Sequence, residues 1–191
     1  ALDNIGQSKP TLVVDRQQLL ANIHTLMSHI SDRFAYRIVV KSLPSVPLLE
    51  TVMQETGSNR LMLFHQPFLN KVATRFPQAD ILLGKPMPVA AAHNFYRQFP
   101  GGDFQSQRQL RWLIDTPERI AQYDELAQSL GQDMQICLEL DVGLHRGGVR
   151  EVVLCPGPGG DGVDDAADEL LHRAFALGRA DMATEIFRDD D

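Results

Sequence analysis

Five apolar runs each end in a residue able to do chemistry. Lys41 closes "YRIVVK", His65 follows "RLMLF", Lys85 ends "DILLGK", Asp115 ends "RWLID" and Asp141 ends "QICLELD". An ammonium is costly to desolvate, so a lysine at the end of an isoleucine and two valines needs a reason. Partly desolvated by apolar walls or set beside another cation, a lysine keeps its neutral nucleophilic form available and can attack a carbonyl to give a Schiff base. The carbonyl could belong to a sugar or keto-acid, as in a lysine-dependent aldolase, or to pyridoxal phosphate, which acts as an electron sink. Spacing does not choose between them. A second stretch, "LELDVGLHRGGV" (138–149), delivers Asp141, turns at Gly143 and presents His145 and Arg146 before paired glycines. The Arg146 guanidinium there could hold a substrate carboxylate or a phenolate oxygen bidentately. Beside a direct role, the other strand-end residues have plainer readings: Asp115 as the start of a helix cap, His65 as a loop histidine, and Lys85, the rival to Lys41, as a solvated lysine before Pro86.

Positioning five such residues requires a regular alternation of strands and helices. "TLVVD" (11–15) reads as a strand followed by a helix carrying Leu19, Leu20, Ile23, Leu26, Met27 and Ile30. "YRIVVK" reads as a strand buried on both faces, then a helix that takes Pro47 in its first turn and stops at Gly57. Phe68, Leu69 and Val72 mark the next helix, and Val89, Ala92, His93 and Tyr96 the one after. The last follows Thr116 as N-cap and Pro117, and ends at Gly131. Near-continuous apolar strands separated by single helices predict a parallel α/β sheet, either a barrel or a doubly wound sheet, and both keep their chemistry at the strands' C-terminal ends.

The charge of −7 is unevenly spread: residues 1–150 carry 15 Lys and Arg against 14 Asp and Glu, whereas 151–191 carry 3 against 11. No basic face suits phosphate backbones, so no nucleic-acid partner is expected. No apolar run is long enough to span a bilayer, so no membrane partner is expected either. Cys137 and Cys155 form no spaced framework, and the N-terminus shows no secretory pattern; a reducing cytoplasm is the expectation.

Taken in order, "TLVVDRQQLLANI", "VVK", "ADILLGKPMP", "WLIDTPERI" and "LELDVGLHRGGV" resemble the pyridoxal-phosphate enzymes with an alanine-racemase-type barrel (fold type III). Within that family they are most similar to the D-threonine aldolase and D-serine dehydratase branch. The resemblance implies a (β/α) barrel, incomplete at this length, and pyridoxal 5'-phosphate held on Lys41 as a Schiff base. It implies Arg146 near the cofactor oxygen and the substrate carboxylate, and a small amino acid as substrate, undergoing racemisation, dehydration or aldol cleavage. It also implies that "TLVVD" belongs to an accessory β-domain rather than to the barrel. Two departures stand out: "SLPSV" replaces the racemases' tyrosine-containing segment after the lysine, and "YRIVVKSLP" lacks the histidines that flank the lysine in the aldolase branch.

The resemblance ends near residue 150, where the acidity begins. Residues 1–150 are expected to form the cofactor-binding barrel portion. Residues 151–191 are expected to form an acidic tail with a Pro/Gly break at 156–162 and one amphipathic helix through Leu170, Leu171, Phe175, Leu177 and Met182. The branch uses a divalent metal near its C-terminus, but Cys155 and His172 lack ligand spacing, so no specific metal site is expected. Part of a barrel leaves strand edges unpaired, to be covered by the tail or by a partner copy in a homodimer. The alternative to an active enzyme is a non-catalytic cofactor-binding or truncated inactive fragment.

Overall fold

The structure, a computed structural model, describes residues 12–42, 44–140 and 147–148. Arg146, Asp141, His145, Cys155, His172 and the whole acidic tail therefore lie outside the described residues. The described residues divide into two compact units, 12–36 with 45–58, and 37–42 and 44 with 59–140 and 147–148.

In the first unit, α1 (Arg16–Ser28) packs with α2 (Val46–Thr56). Asp15 starts α1 by accepting the Gln18 N–H on its carboxylate at 3.0 Å. Pro47 sits in the first turn of α2, and Gly57 ends it at φ 65°, a left-handed cap that a side chain would strain. Ile23 and Leu49 are buried, and His24 meets Glu55 at 3.1 Å. Leu12, Val13 and Val14, expected to be strand, are unpaired and exposed, Leu12 by 71%. Their β-branched pattern fits a strand, but Asp15 spends the segment's end on a helix cap instead.

The second unit is built on five parallel strands: β1 (Ile38–Val40), β2 (Arg60–Leu63), β3 (Asp80–Leu83), β4 (Leu110–Ile114) and β5 (Gln135–Leu138). Their order in space is their order in sequence. A doubly wound sheet reverses direction at a switch point, whereas a barrel adds each strand on the same side of the last, so this is the arc of an α/β barrel. The helices are α3 (Gln66–Arg75), α4 (Val89–Gln98), a single turn α5 (Ser106–Gln109) and α6 (Pro117–Leu130). Thr116 caps α6 by accepting the Arg119 N–H, and Gly131 closes it at φ 62°.

Strand alternation decides which face is core. Ile38, Val40, Leu61, Leu63, Ile81, Leu83, Leu110, Trp112 and Ile114 share one phase of the pleat and are all buried. The Trp112 ring lies against Phe95 and Tyr96 of α4 and Tyr123 of α6, which makes this the helix-covered side. Val39, Met62, Leu82, Arg111 and Leu113 occupy the other phase and are only partly covered, Val39 being 57% exposed. The expectation that β1 is buried on both faces is thus corrected. As the outermost of the five described strands, β1 has a neighbour on one side alone to shield Val39.

Candidate active site at the strand ends

Val39 shares the open phase with Arg60 and Met62 of β2, Asp80 and Leu82 of β3, and Arg111 and Leu113 of β4; continued by one residue past the strand ends, the same alternation takes in 41, 64 and 84. The two ends of this face differ in chemistry. At the strands' N-terminal ends, Arg37 donates from Nη1 to the Leu61 and Asp80 carbonyls, both at 3.0 Å, and from Nη2 to the Asp80 carboxylate at 3.0 Å. Arg111 reaches the same carboxylate oxygen at 2.9 Å. Two guanidiniums thus clamp one aspartate, binding β1, β3 and β4 together.

At the C-terminal ends the face presents Lys41, Phe64 and Gly84. Lys41 is exposed, and its Nζ stands 5.3 Å from the centre of the Phe64 ring, within cation–π reach. Gly84 continues the ladder beyond β3 by donating its N–H to the Leu63 carbonyl at 2.8 Å. A Cβ on Gly84 would fall 2.3 Å from Phe64 Cζ and 2.7 Å from Met62 Cγ, so the Phe64 ring occupies the space a side chain would take. Lys85, next along, is exposed.

The exit from β3 is fastened from below. The Met87 carbonyl accepts the Tyr123 hydroxyl at 3.1 Å and Arg119 Nη1 at 3.0 Å, while Arg119 Nε reaches Asp115 Oδ1 at 3.4 Å. Asp115 is therefore an ion-pair partner for α6, and the cap itself is Thr116. Burial pushes the Tyr96 hydroxyl up to about 12, with hydrogen bonds from Trp112 and Ser106 pulling the other way; burial also raises Tyr123. His65 precedes α3 without its side chain capping the helix.

Of the residues singled out by sequence, Lys41, Phe64's neighbour on β1, lies at the strand ends with Asp115 and Lys85; Arg146 is outside the described residues. Sequence reasoning missed Phe64 and Gly84. The available signal was a glycine at a strand end aligned with an aromatic on the preceding strand. Among the described residues, no group of three or more His, Cys, Asp or Glu side chains is gathered to hold a metal, and no helix is long and apolar enough to cross a membrane.

The fold has close relatives in shape. D-threo-3-hydroxyaspartate dehydratase from Delftia sp. HT23 superposes with a TM-score of 0.60 at 17% identity, over 76% of this chain and 37% of that one. The biosynthetic alanine racemase from Pseudomonas aeruginosa does so with a TM-score of 0.51 at 16% identity, over 70% of this chain and 35% of that one. The chain thus spans a little over a third of the length of these enzymes. A search of curated proteins finds no match. The family model for the alanine racemase N-terminal domain matches residues 14–154, and so covers the strands, the helices between them and Lys41. On that match the chain belongs to the alanine racemase N-terminal domain family.

Proposed function

We propose that this chain is the cofactor-binding part of a pyridoxal-phosphate-dependent enzyme acting on a small amino acid. The observation that carries the reading is Lys41, exposed just past the C-terminal end of β1 on the face turned away from the helices, in a chain of this family. In α/β barrels that end of that face is where chemistry is done. The residues suit an aldehyde that carries a phosphate. Lys41 offers a primary amine beside the Phe64 ring, and Arg146 a guanidinium for an anion. Lys41 and Arg146 would hold the group, Lys41 covalently and Arg146 through its guanidinium. When bound, it supplies an electron sink that labilises a bond at the substrate α-carbon.

The protein's own part is then to place an amine and to hold anions. Lys41 is the residue that bonds the carbonyl carbon, and Arg146, with its planar fork, orients the cofactor oxygen or the substrate carboxylate. The similarity in fold to a dehydratase and a racemase favours a lyase or isomerase within the D-threonine aldolase and D-serine dehydratase branch. The homodimeric state and cytoplasmic location expected from the sequence are part of the same reading.

The test is chemical capture. The chain is incubated with pyridoxal phosphate, reduced with borohydride, and the adduct mapped by peptide mass. A single label on Lys41 is expected; a label spread over surface lysines, or concentrated on Lys85, overturns the assignment. Assays of racemisation, dehydration and aldol cleavage with D-serine, D-threonine and alanine then separate an active enzyme from a chain that binds the cofactor without turnover.

A further inference from the structure

We infer that Phe64 is a positioning residue for Lys41: its ring is the seat on which the Lys41 ammonium rests, and Gly84 leaves the space that lets the ring lie there. The inference rests on the reading of Lys41 as the reacting amine for its purpose, though not for its geometry. Three strands contribute one residue each. Lys41 comes from the end of β1, Phe64 from the end of β2 and Gly84 from the end of β3, all in the open phase of the pleat. Phe64 and Gly84 lie one position beyond the paired Leu63 and Leu83, with the Gly84 N–H donated to the Leu63 carbonyl.

The two contacts of the ring are of different kinds. Toward β3 it meets backbone, since any Cβ at position 84 would stand 2.3 Å from Phe64 Cζ and 2.5 Å from Cε1. Gly84 has no positive φ that would call for glycine. The ring, together with Met62 Cγ at 2.7 Å, rather than a turn, therefore accounts for the absence of a side chain there. Toward β1 the ring meets the ammonium, 5.3 Å from its centre. A lysine has four rotatable bonds and rotamer entropy to lose, so a strand-end lysine with nothing to rest on samples solvent freely. A ring face attracts the cation through its quadrupole without offering an oxygen that would compete as an ion-pair partner. The amine is held over the open face and must give up the ring contact before it bonds a carbonyl.

Reactivity of Lys41 reads this directly, with a reagent that needs no cofactor site. Reductive methylation with formaldehyde and cyanoborohydride is followed by peptide mass at Lys41, relative to the exposed Lys71 of α3. Phe64→Leu, which removes the π face, raises the relative rate at Lys41 by about two- to five-fold, the scale of an exposed cation–π contact. Phe64→Tyr, which keeps the face, matches the parent. Gly84→Ala, whose methyl group pushes the ring aside, moves toward Phe64→Leu. Phe64→Met serves in place of Phe64→Leu if that variant does not fold. Equal rates in the parent and Phe64→Leu overturn the inference, as does Phe64→Tyr behaving like Phe64→Leu. A chain with the expected methylation pattern but no pyridoxal-phosphate label on Lys41 keeps the seat and loses the cofactor reading. A chain labelled at Lys41 without the pattern keeps the cofactor reading and loses the seat.

Discussion

Arg37 and Lys41 flank the three residues of β1, in the same phase of the pleat, and meet opposite surroundings. Arg37 is tied to two backbone carbonyls and a carboxylate shared with Arg111. Lys41 rests on the face of a phenylalanine. Position along the strand separates the two. The N-terminal end of a barrel face is where polar groups can be saturated to fasten strands, and the C-terminal end is where a cation must stay able to react. The difference between arginine and lysine suits it, since a guanidinium fills several acceptors at once and stays charged, whereas an ammonium can become a nucleophile.

Removing the anchor at the arginine end is the severest way to break this contrast. Asp80→Ala takes the shared Asp80 carboxylate away from two partly buried guanidiniums and should destabilise the chain by about 2–3 kcal/mol in chemical denaturation. A loss under about 0.5 kcal/mol would make the cluster a mere surface ion pair. Next comes Arg146, expected to serve the reactive end. Arg146→Lys keeps the charge but loses the planar fork, so pyridoxal-phosphate affinity should weaken by about 1.5–3 kcal/mol, and Arg146→Ala by at least as much. Equal affinities in an absorbance titration would remove it from the cofactor contacts.

A third prediction concerns the helix-covered side, where burial raises Tyr96 to about 12 and Tyr123 above its ordinary value of 10.0. The unfolded chain releases these protons first as pH passes about 10, so the native state holds more of them. Stability is complete below pH 10 and falls above it by about 1.4 kcal/mol per pH unit for each tyrosine, until Tyr96 ionises near 12. Denaturation between pH 9 and 12 measures the slope, and Tyr96→Phe should make it shallower. The smallest effect belongs to Lys41→Met, which should change stability by less than about 0.5 kcal/mol while abolishing capture of pyridoxal phosphate. A large loss of stability would place Lys41 with Arg37 among the fasteners.

Local signals carried the helices and strands well. Thr116, Pro117 and Gly131 bracket α6, and Pro47 and Gly57 bracket α2, because caps and breakers act within a few residues. The strands fall inside the apolar runs for the same reason. "TLVVD" misled because strand propensity records fitness for a pleated surface without saying whether a neighbouring strand is there to pair. The Arg37, Asp80 and Arg111 cluster was hidden because its members are separated by whole strand–helix units and meet only through register. Gly84 lies inside the run "DILLGK", where nothing local singles it out. Its actual constraint is a ring supplied by the preceding strand, which no window around position 84 contains. Lys41 stands out in sequence because its oddity is local: a charge at the end of an apolar run.

The double use of the Met87 carbonyl has a consequence for how the molecule breathes. The segment after β3 cannot lift away while Tyr123 and Arg119 hold it, and both belong to α6. Opening of 84–88 and fraying of α6 are therefore one event with one free energy. In native-state hydrogen exchange the amides of Gly84 and of mid-α6 should share a common opening energy, and Tyr123→Phe should lower it for both together.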